Sequence, residues 1–173
     1  MNKELIPNFL TLSNCLFGFL SIITTANGKL IYSSVFIILA MLADRYDGIV
    51  ARKLGVTSAI GKELDSLCDA VSFGVAPALL VYTKSIGVTD LVIAKALILI
   101  ICGAYACCGV YRLARFNVST LTGGFYQGVP ITTCGCILAI LSFSFINVPS
   151  LALLILTAIF SYLMVSNIKI KKI

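Results

Sequence analysis

Apolar residues gather in six long stretches, near 9–26, 30–51, 59–83, 91–111, 129–147 and 150–167. Each approaches the roughly 20 residues that a helix needs to cross the hydrocarbon core of a bilayer. Turn-forming positions separate them: Gly28, Gly55 with Val56, Gly87, Gly123 with Gly124, and Asn147 with Pro149. In lipid the backbone must satisfy its own hydrogen bonds, so runs of this length predict helices. The pattern therefore predicts an all-α integral membrane protein with six transmembrane helices, in one domain over residues 1–173. Leu5 and Ile6, set among polar neighbours, predict a short N-terminal interfacial helix within residues 1–8. The same stretch has no clear small-residue cleavage site and is expected to be retained.

Composition supports a chain whose solvent is lipid. Of 173 residues 60% are hydrophobic and 12% charged, where a soluble domain carries about 25% charged residues. No linker, low-complexity tract or internal repeat divides it. The net charge of +6 points to topology rather than to nucleic acid. Lys3, Arg45, Arg52, Lys53, Lys62, Arg112, Arg115, Lys169, Lys171 and Lys172 fall on one side of the predicted helices. Only Lys29, Lys84 and Lys95 fall on the other. Such an excess marks the cytoplasmic side, so the expectation is a multi-pass protein of the cell membrane with both termini cytoplasmic. The seven cysteines lie mostly inside apolar runs, without a CxxC pair or any histidine. They read as small packing residues rather than a zinc site.

The acidic residues break the apolar pattern. Five of the seven fall within residues 44–69, "DRYDGIVARKLGVTSAIGKELDSLCD", between two apolar segments. The predicted turn from the second helix to the third lies near Val56. Asp47 and Asp65 each lie nine residues from it, Asp44 twelve before and Asp69 thirteen after. A helical hairpin brings such positions to matched depths, in two layers. Asp44, Asp47, Gly48 and Ala51 share one helix face, and Gly61, Asp65 and Asp69 share another. The faces can meet as one pocket of four carboxylates and three small residues. Carboxylates so crowded have to be protonated, paired or bound to cations. Oxygen-only ligands favour hard divalent ions such as Mg²⁺, Mn²⁺ or Ca²⁺, and two such ions suit chemistry on a diphosphate. The plainer alternative is an interfacial loop in which Arg45, Arg52 and Lys62 pair with the acids.

The pattern Asp44-x2-Asp47-Gly48-x2-Ala51-Arg52-x8-Gly61-x3-Asp65-x3-Asp69 resembles in full the signature of the CDP-alcohol phosphatidyltransferase family. The family's six-helix plan covers nearly the whole chain. The resemblance implies an enzyme that displaces CMP from a CDP-linked lipid with a hydroxyl nucleophile, and a homodimer using divalent metal at a cytoplasm-facing site. It implies that Asp44, Asp47, Asp65 and Asp69 hold a two-metal centre, that Gly48, Ala51, Arg52 and Gly61 line the CDP site, and that Asp69 is the general base. Arg52 near the interface can equally serve as a topology anchor.

Further stretches narrow the resemblance. "PNFLTLSN" at 7–14 is similar to the family's entrance to helix 1, and Asn8 and Thr11 there are candidates for the CDP-lipid site or for helix capping. "SFGVAPA" at 72–78, "YRLARFN" at 111–117 and "FYQGVP" at 125–130 resemble the branch whose acceptor is serine. Phosphatidyl transfer from CDP-diacylglycerol to the serine hydroxyl is the activity that this implies, with glycerol 3-phosphate or an inositol phosphate as alternative acceptors. Arg112, Arg115, Ser72 and Gln127 are the candidate serine-binding residues. The arginines can also anchor topology or steady a helix end, and Gly74 and Pro77 can serve to kink the third helix. A divalent-cation channel or transporter is the rival from another class. The last three predicted helices offer it no acidic residue.

Overall fold

The computed structural model describes residues 5–56, 58–118, 125–143, 146 and 148–171; of 125–127 and 169–171 the backbone alone is described. Six helices form among the described residues: α1 (Leu5–Ala26), α2 (Leu30–Leu54), α3 (Ala59–Ile86), α4 (Val92–Val118), α5 (Ile131–Leu141) and α6 (Ser150–Val165). A short antiparallel ladder pairs β1 (Phe125–Gln127) with β2 (Lys169–Lys171), an addition to the helices that the sequence pattern does not announce. α1, α3 and α4 are long and apolar enough to cross a membrane. α2 has the length but carries Asp44, Arg45, Asp47, Arg52 and Lys53 in its second half. These are the helices of a multi-pass membrane protein.

α1 shows which solvent the fold is built for. Leu5, Phe9, Leu12, Leu16, Phe19 and Ile23 are exposed, at helical spacing. The opposite stripe, Pro7, Thr11, Asn14, Gly18, Ser21 and Thr25, is buried. A helix with its apolar face outward and small or polar residues inward suits lipid outside, where close packing and interhelical hydrogen bonds replace the hydrophobic effect. Ser21 Oγ lies 2.8 Å from Ser33 Oγ, and Thr25 Oγ1 donates to the same oxygen at 2.6 Å, joining α1 to α2. Leu5–Asn8 form the first turn of α1 rather than a separate interfacial helix; residues 1–4 lie outside the described residues.

The turn between α2 and α3 follows from its residues. Gly55 takes φ 64°, which glycine adopts without strain. Gly55 N–H then bonds Arg52 C=O at 3.3 Å and Val56 N–H bonds Ala51 C=O at 3.1 Å, closing the last turn of α2. Ser58 caps α3 by accepting from Gly61 N at 3.0 Å. Midway, α3 widens into a π turn over Ala70–Val75. Pro77 has no N–H for the carbonyl four residues back, that of Phe73. Tyr105 Oη on α4 donates to that carbonyl instead, at 3.0 Å. Phe73 and Tyr105 are both fully buried at the centre of the core, with Ile37, Leu80, Ile131, Leu138, Leu153 and Met164.

The helices alternate in direction. Lys62 Nζ at the start of α3 donates to Asn117 C=O at the end of α4, at 3.1 Å. Arg115 near that same end of α4 reaches the C-terminus of α6, and the β1–β2 ladder joins the α4–α5 connection to the chain segment after α6. At the opposite end Lys84 Nζ donates to Ser142 C=O at 3.2 Å, closing the last turn of α5. α5 ends at Leu141, short of the predicted segment to residue 147. Its 11 residues rise only about 16 Å.

Candidate active site

Asp44 and Asp47 face inward from α2, and Asp65 and Asp69 from α3. Carboxylate oxygens of Asp44, Asp47 and Asp65 lie within 4.8 Å of one another, a triad that could hold a metal ion. Asp69, one helical turn beyond Asp65, is not part of this group. It is buried, with its Oδ1 accepting from Asn14 Nδ2 at 3.1 Å. Thr11 Oγ1 donates to Asp47 Oδ2 at 2.6 Å, with Pro7 C=O a second acceptor at 3.0 Å. Among the described residues none of the four aspartates forms an ion pair with a lysine or arginine. Lys95 pairs with Asp90, far from the site in sequence, at 3.9 Å. The interfacial-loop alternative, with Arg45, Arg52 and Lys62 neutralising the acids, is therefore not the arrangement here. A divalent cation fits the donor set: three converging carboxylates, no lysine or arginine within ion-pair distance of them among the described residues, and Asp65 Oδ1 buried without a hydrogen-bond partner.

Above the triad opens a cleft of about 190 Å³. Pro7, Asn8 and Thr11 of α1 form one wall, Asp47, Gly48 and Ala51 of α2 another, and Ser58, Gly61, Lys62 and Asp65 a third. Seven of the residues expected from the sequence, Asn8, Thr11, Asp47, Gly48, Ala51, Gly61 and Asp65, thus share this lining. The small residues leave room. A methyl group on Gly61 would come within 3.1 Å of Ser58 Oγ and 3.5 Å of Asn8 Oδ1, narrowing the cleft where α1 and α3 meet. Arg52 reaches back over Gly48, where an added Cβ would lie 3.5 Å from Nη1. Its guanidinium therefore stands beside the cleft, on an exposed side chain.

Of the candidate serine-binding residues, Arg112, Arg115 and Ser72 do not line this cleft. Arg112 is buried on α4, its Cζ 5.5 Å from the centroid of the Phe116 ring. Arg115 donates from Nη1 to Val165 C=O at 3.0 Å and from Nη2 to Ser166 C=O at 3.2 Å, closing the C-terminus of α6. Ser72 Oγ, fully buried, donates to Asn14 C=O at 2.9 Å and joins α3 to α1. The side chain of Gln127 lies outside the described residues. Sequence reasoning passed over Asn14, Ser58 and Lys62. Asn14 had a signal: it lies three residues after Thr11, on the same face of an otherwise apolar helix. Lys62 reads from the sequence as a topology marker or a partner of the acids, not as a residue of the cleft wall.

Residues 4–165 match the family model described as CDP-alcohol phosphatidyltransferase. The chain belongs to that family. It is 38% identical to CDP-diacylglycerol–serine O-phosphatidyltransferase of Bacillus subtilis, over 95% of this chain and 88% of that protein. The protein of the same name from Methanocaldococcus jannaschii is 38% identical, with 96% of this chain and 74% of the relative covered. Archaetidylserine synthase of Methanothermobacter thermautotrophicus is 38% identical over 73% of this chain and 52% of its own length.

Proposed function

We propose that this protein is a CDP-diacylglycerol–serine O-phosphatidyltransferase of the cell membrane, with six membrane crossings, both termini cytoplasmic and a homodimer as the active unit. The observation that carries the chemistry is the convergence of Asp44, Asp47 and Asp65 within 4.8 Å beneath the cleft. The names of the relatives carry the acceptor. Two divalent ions, Mg²⁺ or Mn²⁺ with Ca²⁺ a third candidate, would be held by the four aspartates and would neutralise the diphosphate so that CMP can leave. The nucleotide lies in the cleft over Gly48, Ala51 and Gly61, with Asn8 and Thr11 along one side and Arg52 toward a phosphate. Asp69 takes the proton of the serine hydroxyl as its oxygen attacks the β-phosphorus. The new bond joins serine oxygen to that phosphorus, and the bond from it to the oxygen bridging to CMP breaks. The products are phosphatidylserine and CMP.

Serine brings a carboxylate, which in a dry site needs a cation. Arg112, the more deeply buried of the two arginines of α4, is the one assigned to that carboxylate. The β1–β2 ladder and the Arg115 contact support a common side for the α4–α5 connection and the chain end. With ten basic residues against three, that side is cytoplasmic.

Purified protein in liposomes, supplied with CDP-diacylglycerol and labelled serine, should form phosphatidylserine, lose activity in chelator and regain it with Mg²⁺ or Mn²⁺. Transfer to glycerol 3-phosphate or inositol phosphate in preference to serine would overturn the acceptor. Full activity with metal shown to be absent would overturn the metal. Sedimentation in detergent reads the dimer.

A further inference from the structure

The orientation of Asp69 is set from outside its own helix. Its Oδ1 accepts from Asn14 Nδ2 at 3.1 Å, and Asn14 on α1 is fully buried. The main chain of Asn14 is fixed in turn, its C=O accepting from Ser72 Oγ at 2.9 Å. One turn further along α1, Gly18 brings the helices so close that an added Cβ would lie 2.8 Å from Ser72 Cα. The Asn14 amide thus meets Asp69 at the point where α1 and α3 have the least freedom to shift. The other end of the amide gains nothing. Asn14 Oδ1 is buried without a hydrogen-bond partner, which detracts from stability. An apolar side chain of similar size would avoid that loss. The orphaned oxygen and the well-made bond to Asp69 together describe a residue kept for where it holds a carboxylate.

We propose that Asn14 is the positioning residue for Asp69. By holding one carboxylate oxygen against α1, it leaves the other turned toward the acceptor hydroxyl. Asn14 itself touches neither substrate nor the triad. The inference rests on the reading of Asp69 as general base. Nothing in it depends on which acceptor supplies the hydroxyl.

The test compares Asn14→Leu and Asn14→Ala with the wild-type protein in detergent and in liposomes. kcat should fall at least tenfold in both variants, with KM for CDP-diacylglycerol and for serine within about threefold. Metal-dependent CMP binding, measured by calorimetry, should be retained. Asn14→Leu removes the orphaned Oδ1 but also takes the donor from Asp69 Oδ1, so it should unfold within a few degrees of the wild type. Ser33→Ala serves as the comparison: it removes the buried hydroxyl contacts between α1 and α2 and should lower the unfolding temperature while keeping kcat. Wild-type kcat in both Asn14 variants overturns the proposal. So does a loss of CMP binding or of thermal stability in step with activity, which would mark Asn14 as structural. Failure of the base reading shows separately, as undiminished turnover in Asp69→Asn. Failure of the acceptor reading shows as wild-type transfer to another hydroxyl, and the Asn14 comparison is then made with that acceptor.

Discussion

Asp65 and Asp69 are four residues apart on one helix face, yet their surroundings differ. Asp65 lines the cleft, with a carboxylate oxygen within 4.8 Å of those of Asp44 and Asp47. Asp69 sits a turn deeper against an amide. That difference assigns separable consequences to two substitutions that alter the same chemical group. Asp44→Asn removes a member of the triad and should weaken metal-dependent CMP binding together with activity. Asp69→Asn leaves the triad whole and should lower kcat by the ~10²-fold or more typical of a lost general base, with CMP binding better preserved. Calorimetric titration of CMP set beside turnover reads both. Equal losses of binding in the two variants would make metal binding the main role of Asp69, as it is for Asp44.

At the scale of elements, the arginines of α4 divide between alternatives that the sequence alone left open, and Gly18 sets a helix contact that it did not announce. Gly18→Ala would push Cβ into the backbone of Ser72, which cannot swing aside as a side-chain tip can. Such overpacking is expected to lower stability by about 1–3 kcal/mol, read as a lower unfolding temperature in detergent. The two arginines of α4 should separate cleanly. Arg115→Ala strips the end of α6 of a guanidinium bonded to Val165 and Ser166, at a loss of roughly 1.5–3 kcal/mol for charge-assisted bonds, with KM for serine unmoved. Arg112→Ala should raise KM for serine and leave KM for CDP-diacylglycerol near wild type. Wild-type kinetics for both substrates in Arg112→Ala would remove it from the acceptor site. The sequence could not make this division, because i, i+3 spacing puts both arginines on one helix face and says nothing of which neighbour each meets. The triad was legible for the opposite reason. Mirror spacing about a turn is a geometric statement, and two helices of a hairpin have little choice but to obey it. The partner of Asn14 and the π turn were not legible: each depends on a contact between residues more than 30 positions apart, Asn14 with Asp69 and Phe73 with Tyr105.

At the scale of the whole molecule, the helix ends and the charges meet in one testable statement. The C-terminus of α2, the N-terminus of α3 and the C-termini of α4 and α6 lie at the end of the bundle that holds the cleft. Arg52, Lys53, Lys62, Arg112 and Arg115 belong to that end. The opposite end holds Lys29, Lys84 and Lys95. Bilayer insertion retains Lys and Arg on the cytoplasmic side, so the cleft should open to the cytoplasm. The native cysteines suit a direct check, because all seven lie within helices and offer a charged, membrane-impermeant maleimide no thiol in a connecting turn. Lys53 is exposed at the cleft end, and Val88 is 71% exposed at the other. In a bacterial host, Lys53→Cys should stay unlabelled in intact cells and react in inside-out vesicles, and Val88→Cys should do the reverse. Labelling of Lys53→Cys from outside intact cells, with transferase activity retained, would invert the protein in the membrane. The cleft would then face away from the cytoplasm, the compartment where CDP-linked lipid and serine are expected to meet.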